Sequence, residues 1–280
     1  MITSLKNDRV RLVRALQERR RVRQRERRFV VEGIRLCQEA ANAGARPHFA
    51  FYTARMQEDP KGRALLTAWQ EGGVPCEEVS DEVMTACSDT ETPQGLLAVV
   101  PVPDMPLPPH PTLILILDRL RDPGNLGTVL RTALAAGVEG VLLAPGTVDA
   151  TNPKAVRAGM GAHFRLPMAA MDWDEIARAV SGCRVYLADA HGSVPYTDAD
   201  WTGRVALIIG GEAAGAGRRA HALAEATVAI PMAAGVESLN AAVATAILLF
   251  EAARRRRDSS TRRNGESGNR LPSPLPPFVY

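Results

Sequence analysis

Apolar and polar positions fall into two differently punctuated halves. Over residues 8–28 the apolar positions Val10, Val13 and Leu16 recur at helical spacing inside an arginine-rich stretch, which predicts a helix with one apolar stripe. Short apolar runs at Phe29–Val31, Phe49–Tyr52, Val74–Val79 and Leu96–Val100 read as strands. Between them, Ile34–Ala43 reads as a helix closed by Gly44, 62–71 as a helix ending at Gly72-Gly73, and 80–87 as a helix with Ser80 as its N-cap. Residues 1–104 are thus expected to form a small α/β domain. From residue 112 onward the alternation is cleaner. Thr112–Leu117, Gly140–Ala144, Arg184–Ala188, Val205–Ile209 and Thr227–Ile230 are wholly apolar or nearly so, with helical patterns at 126–136, 153–160, 173–181 and 239–256. Strands without polar alternation, separated by helices, predict a parallel sheet covered on both faces.

The boundary between the halves is marked by proline. Residues 101–111 (PVPDMPLPPHP) hold six prolines, which excludes helix and central strand, so 105–111 reads as a stiff linker. Residues 258–280 are Ser, Arg, Asn, Gly and Pro with few apolar residues, the composition of a disordered tail. The second domain is therefore expected over 112–257.

Composition excludes several classes. At 46% hydrophobic and 23% charged, the 280 residues can bury a core. No apolar run reaches the ~18 residues of a membrane helix, and the N-terminus has no secretory apolar segment. Four cysteines without C-x-x-C spacing point away from zinc modules and disulfides and toward a reducing cytoplasm. The five histidines are isolated, and no metal site is visible. The formal charge of +3 conceals an asymmetry: residues 1–35 hold 12 Lys/Arg against 4 Asp/Glu, residues 254–263 hold 6 Arg against 1 Asp, and the remainder carries −10. Two basic segments on an acidic chain fit a polyanionic partner. Arg19, Arg20, Arg21 and Arg23 are the candidate RNA contacts; the competing reading is a solvated helix face.

In open α/β sheets ligands bind beyond the carboxyl ends of the strands. Three glycine-bearing loops follow three of the apolar runs here. The first is DPGNLGTVLRTALAAG (122–137), with Asn125 and Arg131; the second is GGEAAGAG (210–217), with Glu212; the third runs Ile230-Pro231-Met232 to Glu237-Ser238-Leu239-Asn240. Neither G-x-G-x-x-G nor a P-loop is present, which disfavours a nicotinamide oxidoreductase or a P-loop enzyme. On the residues alone, Asn125 and Ser238 could equally be helix N-caps, Glu212 a solvated loop carboxylate, Arg131 the partner of Glu139, and Ile230, Met232 and Leu239 core.

The three loops, in this order, resemble the motifs of the SpoU (TrmH) family of RNA ribose 2′-O-methyltransferases, within the SPOUT superfamily. These motifs are N-x-G-x-x-x-R (Asn125, Gly127, Arg131), G-x-E-x-x-G (Gly210, Glu212, Gly215) and I-P-M…E-S-L-N (Ile230 to Asn240). NPKAVRAGMG (152–161) and DTETPQG (89–95) match as well. Within the second loop, Gly211 stands where the family has Asn, Ala213 where it has Gly, and Ala216 where it has Leu. The resemblance implies an α/β chain made of an N-terminal substrate-binding domain and a trefoil-knotted methyltransferase domain, working as a homodimer. It implies S-adenosylmethionine as cofactor and ribosomal or transfer RNA as substrate, 23S rRNA favoured. It assigns catalysis to Arg131, Asn125, Glu212, Ser238 and Asn240, and cofactor binding to Gly210, Gly211, Glu212, Gly215, Ile230, Met232, Ser238 and Leu239. The alternative is a non-catalytic RNA-binding or ribosome-assembly protein that keeps the fold, an option raised by the altered second loop.

Overall fold

The structure is a computed structural model that describes residues 1–212, 215–234 and 236–266, with side chains described through Ser259. In chain order the first half comprises α1 (Asp8–Glu18), α2 (Arg20–Glu26), β1 (Arg28–Glu32), α3 (Ile34–Asn42), β2 (Phe49–Tyr52), a 3-10 turn (Ala54–Glu58), α4 (Pro60–Glu71), β3 (Cys76–Glu78), α5 (Asp81–Cys87) and β4 (Leu96–Pro101). Its four strands lie in the order β1-β4-β2-β3, antiparallel except for β2 with β3. One face of this sheet packs Phe29, Val31, Ala98 and Val100 under Leu36, Ala40, Leu66 and Trp69 of α3 and α4. The other packs Val30, Phe51, Leu97 and Val99 under Val10, Val13 and Leu16 of α1 and Val83 and Met84 of α5.

The helix expected over 8–28 is two helices. Arg19 adopts extended backbone (φ −118°, ψ 107°) and breaks it. The break turns Arg23 inward. Its side chain is only 4% exposed and donates to Asp149 Oδ2 at 2.7 Å and to the Leu16 carbonyl at 2.7 Å. Arg23 therefore joins the two halves and is not free for RNA, which corrects that assignment; Arg19, Arg20 and Arg21 stay exposed.

The second half comprises β5 (Leu113–Asp118), α6 (Pro123–Ala135), β6 (Gly140–Leu143), α7 (Pro153–Gly159), β7 (Met168–Ala170), α8 (Trp173–Ala179), β8 (Arg184–Ala188), β9 (Val194–Pro195), β10 (Val205–Gly210), α9 (Arg218–Leu223), β11 (Ala226–Ala229) and α10 (Ala241–Glu266). The seven strands form one parallel sheet in the order β7-β6-β5-β10-β8-β11-β9. The expected α/β chain with a parallel, doubly covered sheet is what is found, with β7 and β9 as two strands beyond the five expected. Leu113, Leu115 and Leu117 face α6 and α10, while Ile114 and Ile116 face α8 and α9. That alternation is why a strand buried on both sides has no polar positions.

The proline-rich stretch after β4 has neither helix nor strand. It is nonetheless fastened: Leu107 lies over Gly140, where any Cβ would come within 2.6 Å of its Cδ2. The halves also share a core. Val156 and Phe164 of the second enter the apolar cluster of the first, and Phe164 stacks on Phe29 with ring centroids 5.7 Å apart.

The C-terminal basic segment departs from expectation. α10 runs on through 258–266, where a tail was expected; residues 267–280 lie outside the described residues. Arg254 and Arg255 pair with Glu251, and Arg254 also with Asp258. Arg256 turns inward to the Trp201 and Gly203 carbonyls, at 3.0 and 2.8 Å, and to the Thr112 hydroxyl. These three arginines are engaged in fixing the helix.

Candidate active site

The carboxyl ends of β5, β10 and β11 point to one side of the sheet, and the loops that leave them meet there. After β5 the chain turns at Asp122, whose carboxylate caps α6 by accepting the Asn125 N–H at 2.7 Å. Pro123 holds the first helical position, where a missing N–H costs nothing. The cap is thus Asp122, and Asn125 lies one turn inside the helix with its amide free to act elsewhere. Gly127, on the same helix, meets α7. A Cβ there would stand 2.3 Å from the Ala155 carbonyl oxygen, so only glycine lets the helices approach this closely.

The Asn125 amide donates to Glu212 Oε1 at 2.9 Å, and its carbonyl oxygen accepts from Asn240 Nδ2 at 3.1 Å. Asn240 in turn caps α10 through its Oδ1, accepting from Ala242 N–H at 2.8 Å and Val243 N–H at 3.3 Å. The cap of the last helix is therefore Asn240 and not Ser238. One relay, Asn240 to Asn125 to Glu212, ties the three loops together. Glu212 also accepts the Arg121 N–H at 3.3 Å. Burial pushes its carboxyl up, but the Asn125 amide and the N–H groups of Glu212 itself, Arg121 and Asp122 outweigh burial, and the net shift is downward. Glu212 is accordingly an ionised acceptor at neutral pH, suited to orienting Asn125 and poorly suited to taking a proton.

The GGEAAGAG loop is braced from behind. A Cβ on Gly210 would come within 2.5 Å of the Ala216 nitrogen, and one on Gly211 within 2.3 Å of the Arg119 carbonyl oxygen. Gly211 and Gly215 form an isolated antiparallel bridge. Asp118, buried at the end of β5, accepts the Gly217 N–H at 2.6 Å.

In front of this loop lies a cavity of ≈ 510 Å³. Gly210, Gly211, Glu212, Gly215, Ile230, Met232, Ser238 and Leu239 all line it, and so does Asn240. Asp189, which follows β8, lines it too; among the described residues its carboxylate accepts only the His191 N–H of a local turn, at 2.8 Å. Asp189 stands out in the sequence only as a strand-ending carboxylate without an obvious partner. Arg131 is placed differently. It is exposed on α6 outside the cavity lining, and among the described residues its guanidinium has no hydrogen bond or ion pair. The conceivable partner Glu139 is occupied by Thr112, whose N–H it accepts at 3.0 Å and whose hydroxyl at 2.5 Å. Among the described residues no cluster of His, Cys, Asp or Glu could hold a metal ion.

Comparison with known proteins defines the class. Residues 112–250 match the SpoU rRNA Methylase family, and residues 7–98 match the MRM3-like substrate binding domain. The chain belongs to the SpoU rRNA methylase family. Among its relatives is the 23S rRNA (guanosine(2553)-2′-O)-methyltransferase RlmP of Bacillus subtilis, 32% identical over 89% of this chain and 97% of that protein. Human mitochondrial rRNA methyltransferase 3 is 33% identical over 88% of this chain and 72% of its own length. The AdoMet-bound rRNA methyltransferase from Sinorhizobium meliloti superposes with a TM-score of 0.80 at 33% identity, covering 90% of this chain and 97% of that one.

Proposed function

We propose that this chain transfers a methyl group from S-adenosylmethionine to a ribose 2′-hydroxyl of ribosomal RNA. The observation that carries the reading is the relay Asn240–Asn125–Glu212, which joins three strand-end loops at one cavity. The cavity suits the cofactor. Its apolar wall, Ile209, Val228, Ile230 and Leu248, offers contact for an adenine ring, and the carboxylates Asp189 and Glu212 offer complements for a ligand with cationic groups. When bound, the cofactor supplies an electrophilic methyl on a positively charged sulfur. The chain's own groups do the rest. Ile230, Met232 and Leu239 flank the ligand, Gly210, Gly211 and Gly215 let backbone approach it, and Ser238 adds a hydroxyl at the mouth. Asn125 is held in one orientation by bonds at both ends of its amide, so it presents a fixed edge to the substrate.

Arg131 is the candidate group for the substrate itself. A guanidinium stays protonated through the physiological range, so it acts as a clamp: it holds a phosphate or lowers the pKa of a neighbouring 2′-hydroxyl by its charge. Its exposure and lack of a protein partner among the described residues suit that role. RNA capture falls to the domain of residues 1–104, with Arg19, Arg20 and Arg21 as contacts. The exposed apolar positions Leu239, Val243 and Phe250 on and beside α10 suit a second copy of the chain, giving a homodimer. Membership of the family supports a trefoil knot within 112–257. The four thiols are free, which suits a reducing cytoplasm, and among the described residues no helix is long and apolar enough to cross a membrane.

The test is methyl transfer from labelled cofactor to ribosomal RNA, with mass-spectrometric mapping of 2′-O-methyl sites in cells with and without the gene. Arg131→Ala should lower single-turnover transfer by ~10²-fold, the scale of one positioned catalytic group, while Arg131→Lys keeps measurable activity with a flat pH–rate profile. A titrating limb in the lysine variant that the parent lacks would instead assign proton transfer to this position. A protein that binds RNA but no cofactor would fit the non-catalytic alternative.

A further inference from the structure

A second cavity lies in the N-terminal half, away from the relay. It measures ≈ 280 Å³ and is lined by Thr53, Arg55, Asp81, Met84, Thr85, Thr92, Pro93 and Gly95. Five of these carry polar side chains: Thr53, Arg55, Asp81, Thr85 and Thr92. Among the described residues none of the five has a side-chain hydrogen bond or ion pair to protein. Arg55 and Asp81 border one space and yet do not pair with each other. Surface arginines elsewhere in this chain do find carboxylates, as Arg254 and Arg184 do. A cation, an anion and three hydroxyls converging unpartnered on one concavity is the pattern of a polar binding site.

The cavity is built in advance. Its outer wall, the loop 88–95, is fastened to Glu32, whose carboxylate accepts from the Ser88 hydroxyl, the Asp89 N–H at 3.2 Å and the Thr90 hydroxyl at 2.8 Å. The Thr53 N–H donates to the Gly95 carbonyl at 2.9 Å. Gly95 has φ +80°, and a Cβ there would fall 2.4 Å from Thr53 Oγ1, so glycine is what leaves that hydroxyl its place. The same loop is tied to the other half by an ion pair between Asp89 and Arg157 of α7. Since α7 packs against α6 at Gly127, a ligand held in this cavity is fixed in relation to Asn125 and Arg131.

We infer that this cavity receives a single unstacked nucleotide of the RNA substrate, with its phosphate on Arg55 and its base edge toward Asp81. Its volume is at the lower limit of ligand pockets, ~300 Å³ and upward, which suits one nucleotide and excludes a base pair. Arg55 offers the planar fork that phosphate oxygens take up. A carboxylate only accepts hydrogen bonds, so Asp81 selects a base with donors. Guanine presents two adjacent ones, N1–H and N2–H, and is the base that fits. Pro93, partly exposed, supplies the apolar surface against which a splayed base rests, with Met84 buried in the floor. The nucleotide is a recognition nucleotide, separate from the one that receives the methyl. The inference rests on the reading of residues 1–104 as the RNA-capturing domain.

The test uses the full chain saturated with S-adenosylhomocysteine, so that the large cavity is filled. Guanosine 5′-monophosphate is titrated while amide shifts of Thr85 and Gly95 are followed by NMR, with the other three monophosphates and inorganic phosphate in parallel. Guanylate should bind in the millimolar range and shift both amides. Arg55→Ala should weaken this by at least about tenfold, the scale of removing a charge-assisted hydrogen bond, and raise KM for ribosomal RNA by about the same factor. Cofactor affinity, kcat and the melting temperature should not move. Asp81→Asn should erase the preference for guanylate and keep phosphate binding. Equal affinity for all four nucleotides, or for phosphate alone, would overturn the assignment, and so would an Arg55→Ala protein with an unchanged KM for RNA. A parent protein that binds no RNA at any salt concentration would instead remove the RNA-capture reading on which the inference stands.

Discussion

Arg23 and its neighbours Arg19, Arg20 and Arg21 share a charge run and have different fates. What separates them is the backbone at Arg19, which bends the helix and turns one arginine of the four into the seam with Asp149. Arg23→Ala leaves Asp149, 13% exposed, without its partner; chemical denaturation should show a loss of about 3–5 kcal/mol, the scale of breaking a buried pair. Neutralising Arg19, Arg20 and Arg21 should leave stability within about 0.5 kcal/mol, as expected for surface sites. It should also flatten the salt dependence of RNA binding by roughly 0.7–0.9 in the log–log slope for each phosphate that is no longer neutralised. An unchanged slope would return these three residues to the role of a solvated face. The fate of Arg23 is not legible from spacing, because its acidic partner lies 126 positions away. The caps at the site mislead in part: spacing offers Asn125 and Ser238, and the structure gives the caps to Asp122 and Asn240. Asp122 followed by Pro123 is a helix start by the proline rule, and it frees Asn125 for the relay. Asp189 is the opposite case: a single carboxylate with no motif around it, brought to the cavity only by the order of strands.

At the scale of elements, the apolar runs without polar interruption predict the central strands well, because burial on both faces leaves no position for a polar side chain. β7 (Met168–Ala170) and β9 (Val194–Pro195) escape that signal. They are three and two residues long, lie at the two edges of the sheet, and are only partly buried, so neither period nor composition marks them. The close approach of α6 to α7 is also invisible in the pattern of either helix and depends on Gly127. Gly127→Ala must push backbone apart, since the new Cβ would meet the Ala155 carbonyl at 2.3 Å and the Gly159 nitrogen at 2.9 Å. Urea unfolding should report a loss of roughly 1–3 kcal/mol, the usual cost of overpacking. Because α6 carries both Asn125 and Arg131, methyl transfer should fall as well. Alanine tolerated at 127 with full stability would mean that the helices can separate freely.

At the scale of the whole molecule, the seam between the halves has a built-in dependence on pH. His163 is buried there beside Phe29, with Nε2 2.7 Å from the Ala150 carbonyl and Nδ1 without a partner among the described residues. Burial drives its pKa down, against the opposing pull of the Ala150 carbonyl and of Asp149. The folded protein therefore binds fewer protons here than the unfolded chain does. Stability contributed by the neutral ring is full above the unfolded value of about 6.5 and falls as pH drops below it. Denaturation midpoints measured from pH 8 to pH 5 should decline over that window, and His163→Phe, which cannot be protonated, should lessen the decline. An identical slope in both proteins would assign the acid sensitivity elsewhere.

The last helix has a consequence for how the gene tolerates damage. α10 is fastened at its start to Asn125, just beyond the end of β5, and through Arg256 to Thr112, just before β5 begins. It acts as a splint along the strand whose far end holds Asp118 and the glycine loop. A stop codon at position 256 would spare every residue assigned to the cavity and the relay, and would still release one end of the splint. Loss of function by nonsense mutation should therefore extend downstream of the last site residue, across a stretch whose arginines look dispensable when only the chemistry is counted.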